Sequence, residues 1–148
     1  MNLWLLDASV LLASEDPDDE HHDDCRRLLA GADPLATLDL AFYEVTNVAL
    51  RSWHDRAAAR RLQARVSALG DDAGLVRANA RLLEDAAAIA DTHGISVYDA
   101  AYVAAAQATR GRLVSCDERD LVSRELAVFP RVAVWHSMRR HGPYPGSH

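Results

Sequence analysis

Lysine is missing altogether: all sixteen basic residues are arginine. A P-loop needs a lysine on the phosphates and a receiver domain needs one beside its phosphorylated aspartate, so neither fits. A haloacid-dehalogenase-type phosphatase fits neither the missing lysine nor the Asp7-Ala8-Ser9 opening. A GC-rich genome accounts for the arginine and alanine bias, and the exclusions hold regardless. Glycine and proline are sparse, at 7 and 5 of 148 residues, which removes collagen-like and linker-rich architectures. The two cysteines, Cys25 and Cys116, have no CxxC spacing, so reduced thiols are expected rather than a disulfide framework. No apolar stretch approaches the roughly 18 residues of a membrane span, and the start lacks the basic region of a signal peptide. The expectation is a cytoplasmic protein with no membrane partner.

What is present is a chain that is 49% hydrophobic and 26% charged, enough for one globular domain over residues 1–148. The net charge of −6 argues, taken alone, against a nucleic-acid ligand. Its distribution weakens that objection. Residues 15–24 hold seven acids and no arginine, leaving fifteen acids against sixteen arginines elsewhere. If four more carboxylates hold a metal, the remaining surface is basic and an RNA ligand is admissible. The acidic run itself reads as a solvated turn and helix start, where the helix dipole favours acids.

Leu3 to Leu6 is a continuous apolar run that predicts a buried parallel strand, and a short helix follows around Val10 to Ala13. Pro17 suits the start of a helix carried by Glu20 to Ala30 and stopped at Gly31. Pro34 to Thr37 predicts a strand, with Thr37 or Asp39 capping a helix through Val45, Val48, Ala49 and Trp53. Further helices are expected over Arg56 to Leu69, Ala78 to Asp91, Val97 to Thr109 and Glu118 to Leu126, with a loop from Gly70 to Gly74. Leu113 to Ser115 and Arg131 to Trp135 read as strands, and the tail from His136 should fray. The alternation predicts an α/β fold, three layers of α/β/α, around a mainly parallel sheet of about five short strands.

In such sheets ligands gather beyond the carboxyl ends of the strands. Asp7 and Asp117 follow strands there. Asp99 opens a helix that runs antiparallel to the next strand, and Glu44 lies in the first two turns of another, so four carboxylates from distant segments can meet. Clustered carboxylates repel unless a cation compensates them, and oxygen-only ligands select Mg2+ or Mn2+. Such a site suits phosphodiester hydrolysis by water.

Leu6-Asp7-Ala8-Ser9, Tyr43-Glu44-Val45-Thr46-Asn47-Val48, Val97-Tyr98-Asp99-Ala100-Ala101-Tyr102 and Ser115-Cys116-Asp117-Glu118-Arg119 occur in this order, with acids spaced by 37, 55 and 18 residues. The pattern resembles the PIN-domain family, specifically its VapC-type toxins, over nearly the whole chain. The resemblance implies an α/β/α fold, an Mg2+- or Mn2+-dependent endoribonuclease, a homodimer, and silencing by a cognate VapB-type antitoxin. It assigns Asp7, Glu44, Asp99 and Asp117 to the catalytic and metal-binding positions. Ser115 takes a position that is often threonine in the family.

Each residue also has a structural reading. Ser96 and Asp99 fit a capping box, Asp7 and Asp117 fit turn caps, and Glu44 shares a helical stripe with Leu40, Asn47 and Arg51. Ser9, Asn47, Ser115 and Asp120 are supporting candidates: the serines as orienting hydroxyls or local turns, Asn47 as a partner of Glu44, and Asp120 as a further ligand or first-turn acid. His21 and His22 beside the acids read as surface residues rather than ligands. Tyr98 and Tyr102 read as packing residues rather than base platforms. A housekeeping PIN nuclease of RNA maturation and a PIN-like binding module without activity remain as alternatives.

Overall fold

The apolar run at the start becomes the centre of the sheet. The computed structural model describes residues 3–142. Strand β1, Trp4–Leu6, is wholly buried and pairs in parallel with β2, Leu35–Leu38, on one side and with β4, Arg112–Val114, on the other. The register sets Trp4 opposite Leu35 and Arg112, and Leu6 opposite Thr37 and Val114. Strand β3, Leu75–Val76, adds beside β2, giving the order β3-β2-β1-β4 with every pair parallel.

Parallel neighbours require crossovers, and helices supply them. Helices α1 (Ala8–Glu15) and α2 (His22–Ala30) join β1 to β2, and α3 (Leu40–Arg51) and α4 (Arg56–Asp71) join β2 to β3. The chain then reverses direction across the sheet through α5 (Ala80–His93) and α6 (Val97–Ala108) to reach β4. The alanine-rich α6 lies close against β1, β2 and β4, while α1 and α4 contact the strands from the earlier crossovers. This is the expected layered α/β arrangement, with four strands among the described residues instead of five. No helix among those residues is long and apolar enough to cross a membrane.

The missing strand is instructive. Residues 131–135 lie in helix α7, Pro130–His141, and only Val128 makes a bridge to Val114 where a fifth strand would pair. Pro130 fits the first helical turn, where its missing N–H costs nothing. Pro130, Ala133, Val134 and Ser137 are buried, a spacing of three and four that five residues of Arg-Val-Ala-Val-Trp cannot display. The tail expected to fray from His136 is therefore helical through His141, and residues 143–148 lie outside the described residues.

Three other boundaries differ. Pro17 sits in a turn rather than opening a helix, because Asp16 and Asp19 accept from the N–H groups of Asp18 (3.0 Å) and His21 (2.8 Å), delaying α2 until His22. Asp39 stands at the start of α3 but does not cap it, since its carboxylate accepts instead from Ala78 N–H at 3.1 Å, and Thr37 donates to Leu6 O at 2.7 Å. The segment after Asp117 forms a wide turn over Glu118–Val122 with i to i+5 hydrogen bonds, Val122 N–H to Asp117 O (3.0 Å) and Ser123 N–H to Glu118 O (2.7 Å), in place of a longer helix.

Candidate metal centre

The chain changes direction across the sheet next to β1, and the acids collect there, beyond the ends of β1 and β4. Asp7 follows β1 directly. Its carboxylate is 5% exposed, with Oδ1 accepting from Ser9 Oγ at 2.5 Å and from Val10 N–H at 3.4 Å. Burial pushes its pKa up to about 6; hydrogen bonds from Ser115, Ser9 and Val10 oppose that shift, and the charge of Asp99 adds to it.

Ser9 and Ser115 join the two strand ends. Their hydroxyl oxygens lie 3.4 Å apart; Ser9 Oγ accepts from Cys116 N–H at 2.9 Å and Ser115 Oγ from Asp117 N–H at 2.9 Å. Both therefore act as more than local turn residues. They lock the loop carrying Asp117 onto the first turn of α1. Asp117 Oδ1 in turn caps the following turn by accepting from Asp120 N–H at 3.0 Å.

Asp99, Asp117 and Asp120 each present a carboxylate oxygen within 4.8 Å of the others. Asp99 stands in the first turn of α6, where Ser96 Oγ accepts its N–H at 3.1 Å, so the capping geometry and the cluster coexist. Burial raises the Asp99 pKa, and the charges of Asp117, Asp120 and Glu44 raise it further. Three mutually repelling oxygen donors at this spacing, without a soft ligand among them, fit a hard divalent cation.

Glu44 is placed by Tyr102, whose role goes beyond the packing that its spacing predicts. Tyr102 is buried as expected, but its hydroxyl donates to Glu44 Oε1 at 2.7 Å, and burial with the Glu44 charge pushes the phenol pKa upward. The signal was its spacing: Tyr102 follows Asp99 by three residues and shares its helical face. Asn47 is exposed, lining a surface groove with Tyr43 and Leu50, and is not brought to Glu44. Tyr98 does not pack in the core: it is 60% exposed and, with Tyr43 at 78%, Leu83 and Val97, borders an apolar cavity of about 280 Å3.

The two histidines are structural. His21 stacks on Phe129 with ring centroids 5.2 Å apart, and His22 Nδ1 lies 2.7 Å from Ala13 O. Both cysteines are free; Cys25 is buried, and contact with the Cys116 thiol together with burial pushes its pKa upward.

This fold and this acidic edge define a class, and comparison with known proteins agrees: the PIN domain family model matches residues 4–124, so the chain belongs to the PIN-domain family. It is similar to Ribonuclease VapC3 of Pyrobaculum aerophilum, at 37% identity over 120 residues, covering 78% of this chain and 89% of that protein. Its fold is similar to VapC20 of Mycobacterium tuberculosis, a sarcin-ricin loop cleaving toxin, with TM-score 0.64, 20% identity, and coverage of 81% and 94% of the two chains. A toxin-antitoxin complex from Klebsiella pneumoniae contains a similar fold, with TM-score 0.64, 18% identity, and coverage of 85% and 96%.

Proposed function

We propose that this protein is a divalent-metal-dependent endoribonuclease toxin of the VapC type, restrained by a cognate antitoxin. The observation that carries the reading is the meeting of Asp99, Asp117 and Asp120 within 4.8 Å, with Asp7 and Glu44 coupled to the same cluster. The name of the relative from Pyrobaculum aerophilum supports RNA as substrate. Asp7, Glu44, Asp99 and Asp117 are the residues that would hold Mg2+ or Mn2+, with Asp120 as a further ligand. A bound ion of this kind supplies positive charge for the phosphodiester and lowers the pKa of water.

The chain's own residues prepare that chemistry. Ser9 and Ser115 aim the Asp7 carboxylate and fix the Asp117 loop, so the donors need little rearrangement. Tyr102 donates to Glu44 Oε1 and so fixes the position of that carboxylate. Attack by water uses no ribose 2′-hydroxyl, so no 2′,3′-cyclic end forms; breaking the bond to the 3′-oxygen, which leaves as the 3′-hydroxyl, puts the phosphate on the 5′ end of the other product.

The antitoxin follows from the same electrostatics. An inhibitor entering an acidic pocket needs a cation, and arginine suits it because a planar guanidinium can meet two carboxylate oxygens at once. The apolar face of Tyr43, Leu83, Val97 and Tyr98 is suited to a homodimer, tested by light scattering.

RNA cleavage assays with and without EDTA test the function. The expected result is cleavage in Mg2+ or Mn2+, none in EDTA, and a loss of roughly 100-fold or more in Asp99→Asn and Asp117→Asn with the fold retained. Undiminished cleavage in EDTA, or 2′,3′-cyclic ends, would overturn it.

A further inference from the structure

Helix α7 is a basic element in an acidic chain. Its twelve residues contain three arginines, two histidines and no acid. Arg131, Trp135, Met138 and Arg139 form its exposed stripe at i, i+4, i+7 and i+8, opposite the buried Ala133, Val134 and Ser137. Trp135 is 53% exposed, a large aromatic in contact with solvent.

The two arginines of the stripe each lie over an aromatic ring. The Arg139 guanidinium lies over the Trp135 ring, 4.8 Å from its centroid, and Arg131 lies over Phe129 at 5.5 Å. Among the described residues neither makes a hydrogen bond or an ion pair. A ring beneath a guanidinium engages its flat face and leaves its N–H edges available to phosphate oxygens. The nearest packed helix, α2, has Asp23 and Asp24 in its first turn, and Asp24 is engaged by Arg27 at 3.6 Å. Arg140 is different, since its guanidinium binds Asp33.

The stripe also starts near the acids. Ser115 N–H donates to Val128 O at 3.0 Å, so the chain enters α7 from the strand end that carries Ser115 and Asp117. From there α7 runs to the opposite edge of the sheet, where His141 meets Asp33 just before β2. Arg131 and Arg139 are separated by about 12 Å along the axis.

We propose that the Arg131–Trp135–Arg139 stripe of α7 docks the phosphate backbone of the RNA substrate beyond the cleaved bond, so that long RNA is held by a basic track outside the acidic centre. This rests on the ribonuclease reading above. It answers the objection from net charge: an acidic protein can hold a polyanion on a local face that carries arginine and no acid.

The test compares Arg131→Gln/Arg139→Gln with the unmodified stripe, both in an Asp99→Asn background, by fluorescence anisotropy on long single-stranded RNA at several salt concentrations. Loss of two phosphate contacts should weaken binding about tenfold and reduce the slope of log K against log[salt] by roughly 1.4. Arg139→Gln alone should give about half that slope change. With Asp99 restored, cleavage of a short oligonucleotide spanning only the cleavage site should be unchanged, and cleavage of long RNA should slow. Unchanged affinity and slope in a variant with unchanged melting temperature would overturn the proposal. So would displacement of the RNA by polyglutamate of equal charge, which would assign the stripe to an acidic protein partner. If the wild-type chain neither binds nor cleaves RNA, it is the ribonuclease reading that fails.

Discussion

Asp7 carries opposite demands in one side chain. Its carboxyl is the N-cap of α1 and the most buried acid of the site, and burial lifts its pKa from 3.8 to about 6. In the unfolded chain it ionises near 3.8, so the native state binds the proton more tightly. Its contribution to stability is therefore greatest below about pH 4 and is lost as pH rises to about 6. Above that, holding the charge costs about 3 kcal/mol in the metal-free protein, taken as an order of magnitude. Asp7→Asn keeps the cap oxygen and removes the charge. Its melting temperature in EDTA should exceed that of the wild type at pH 7.5 and match it near pH 3.5, while RNA cleavage is lost. A variant less stable at pH 7.5 would mean that the carboxylate supports the fold rather than straining it.

Among the elements, β3 depends on one close approach. A Cβ added to Gly74 would meet Leu35 O at 2.2 Å and Leu69 O at 2.9 Å, and both are backbone atoms that cannot step aside. Gly74 O also accepts from Thr37 N–H at 2.7 Å, tying the edge strand to β2. Gly74→Ala should destabilise by about 3 kcal/mol or more, read as a lower urea midpoint with an unchanged slope. This position shows where the sequence is opaque. Gly70 to Gly74 looks like any polar loop, because the contact that forbids a side chain comes from strands and helices far along the chain. Strands β1, β2 and β4 and most helices were legible, since their apolar runs and spacings are local. So was the placement of Asp7, Asp99 and Asp117, each at the end of a recognisable element. The Tyr102 bond to Glu44 and the helical state of Arg131 to Trp135 were not, because the first depends on which helices touch and the second on a period longer than the apolar run.

At the scale of the molecule, the clustered carboxylates oppose one another in the metal-free protein. Asp99 is raised by burial and by the charges of Asp117, Asp120 and Glu44, so the folded chain stores repulsion that a cation would relieve. Binding to the native state alone stabilises it by mass action, about 2.7 kcal/mol at a hundredfold excess over Kd. For a chain of this size that corresponds to a rise of roughly 5–10 °C in melting temperature. Thermal shift in Mn2+ or Mg2+ should show this rise at pH 7.5, and Asp99→Asn and Asp117→Asn should abolish most of it. Because the buried Asp7 must lose its proton as the ion enters, the rise should shrink below pH 6. Ca2+ separates occupancy from chemistry. It accepts the same oxygens in looser geometry and acidifies water less, so it should raise the melting temperature without supporting cleavage. Equal cleavage in Ca2+ would place the activity outside this cluster, whatever the ion does to stability.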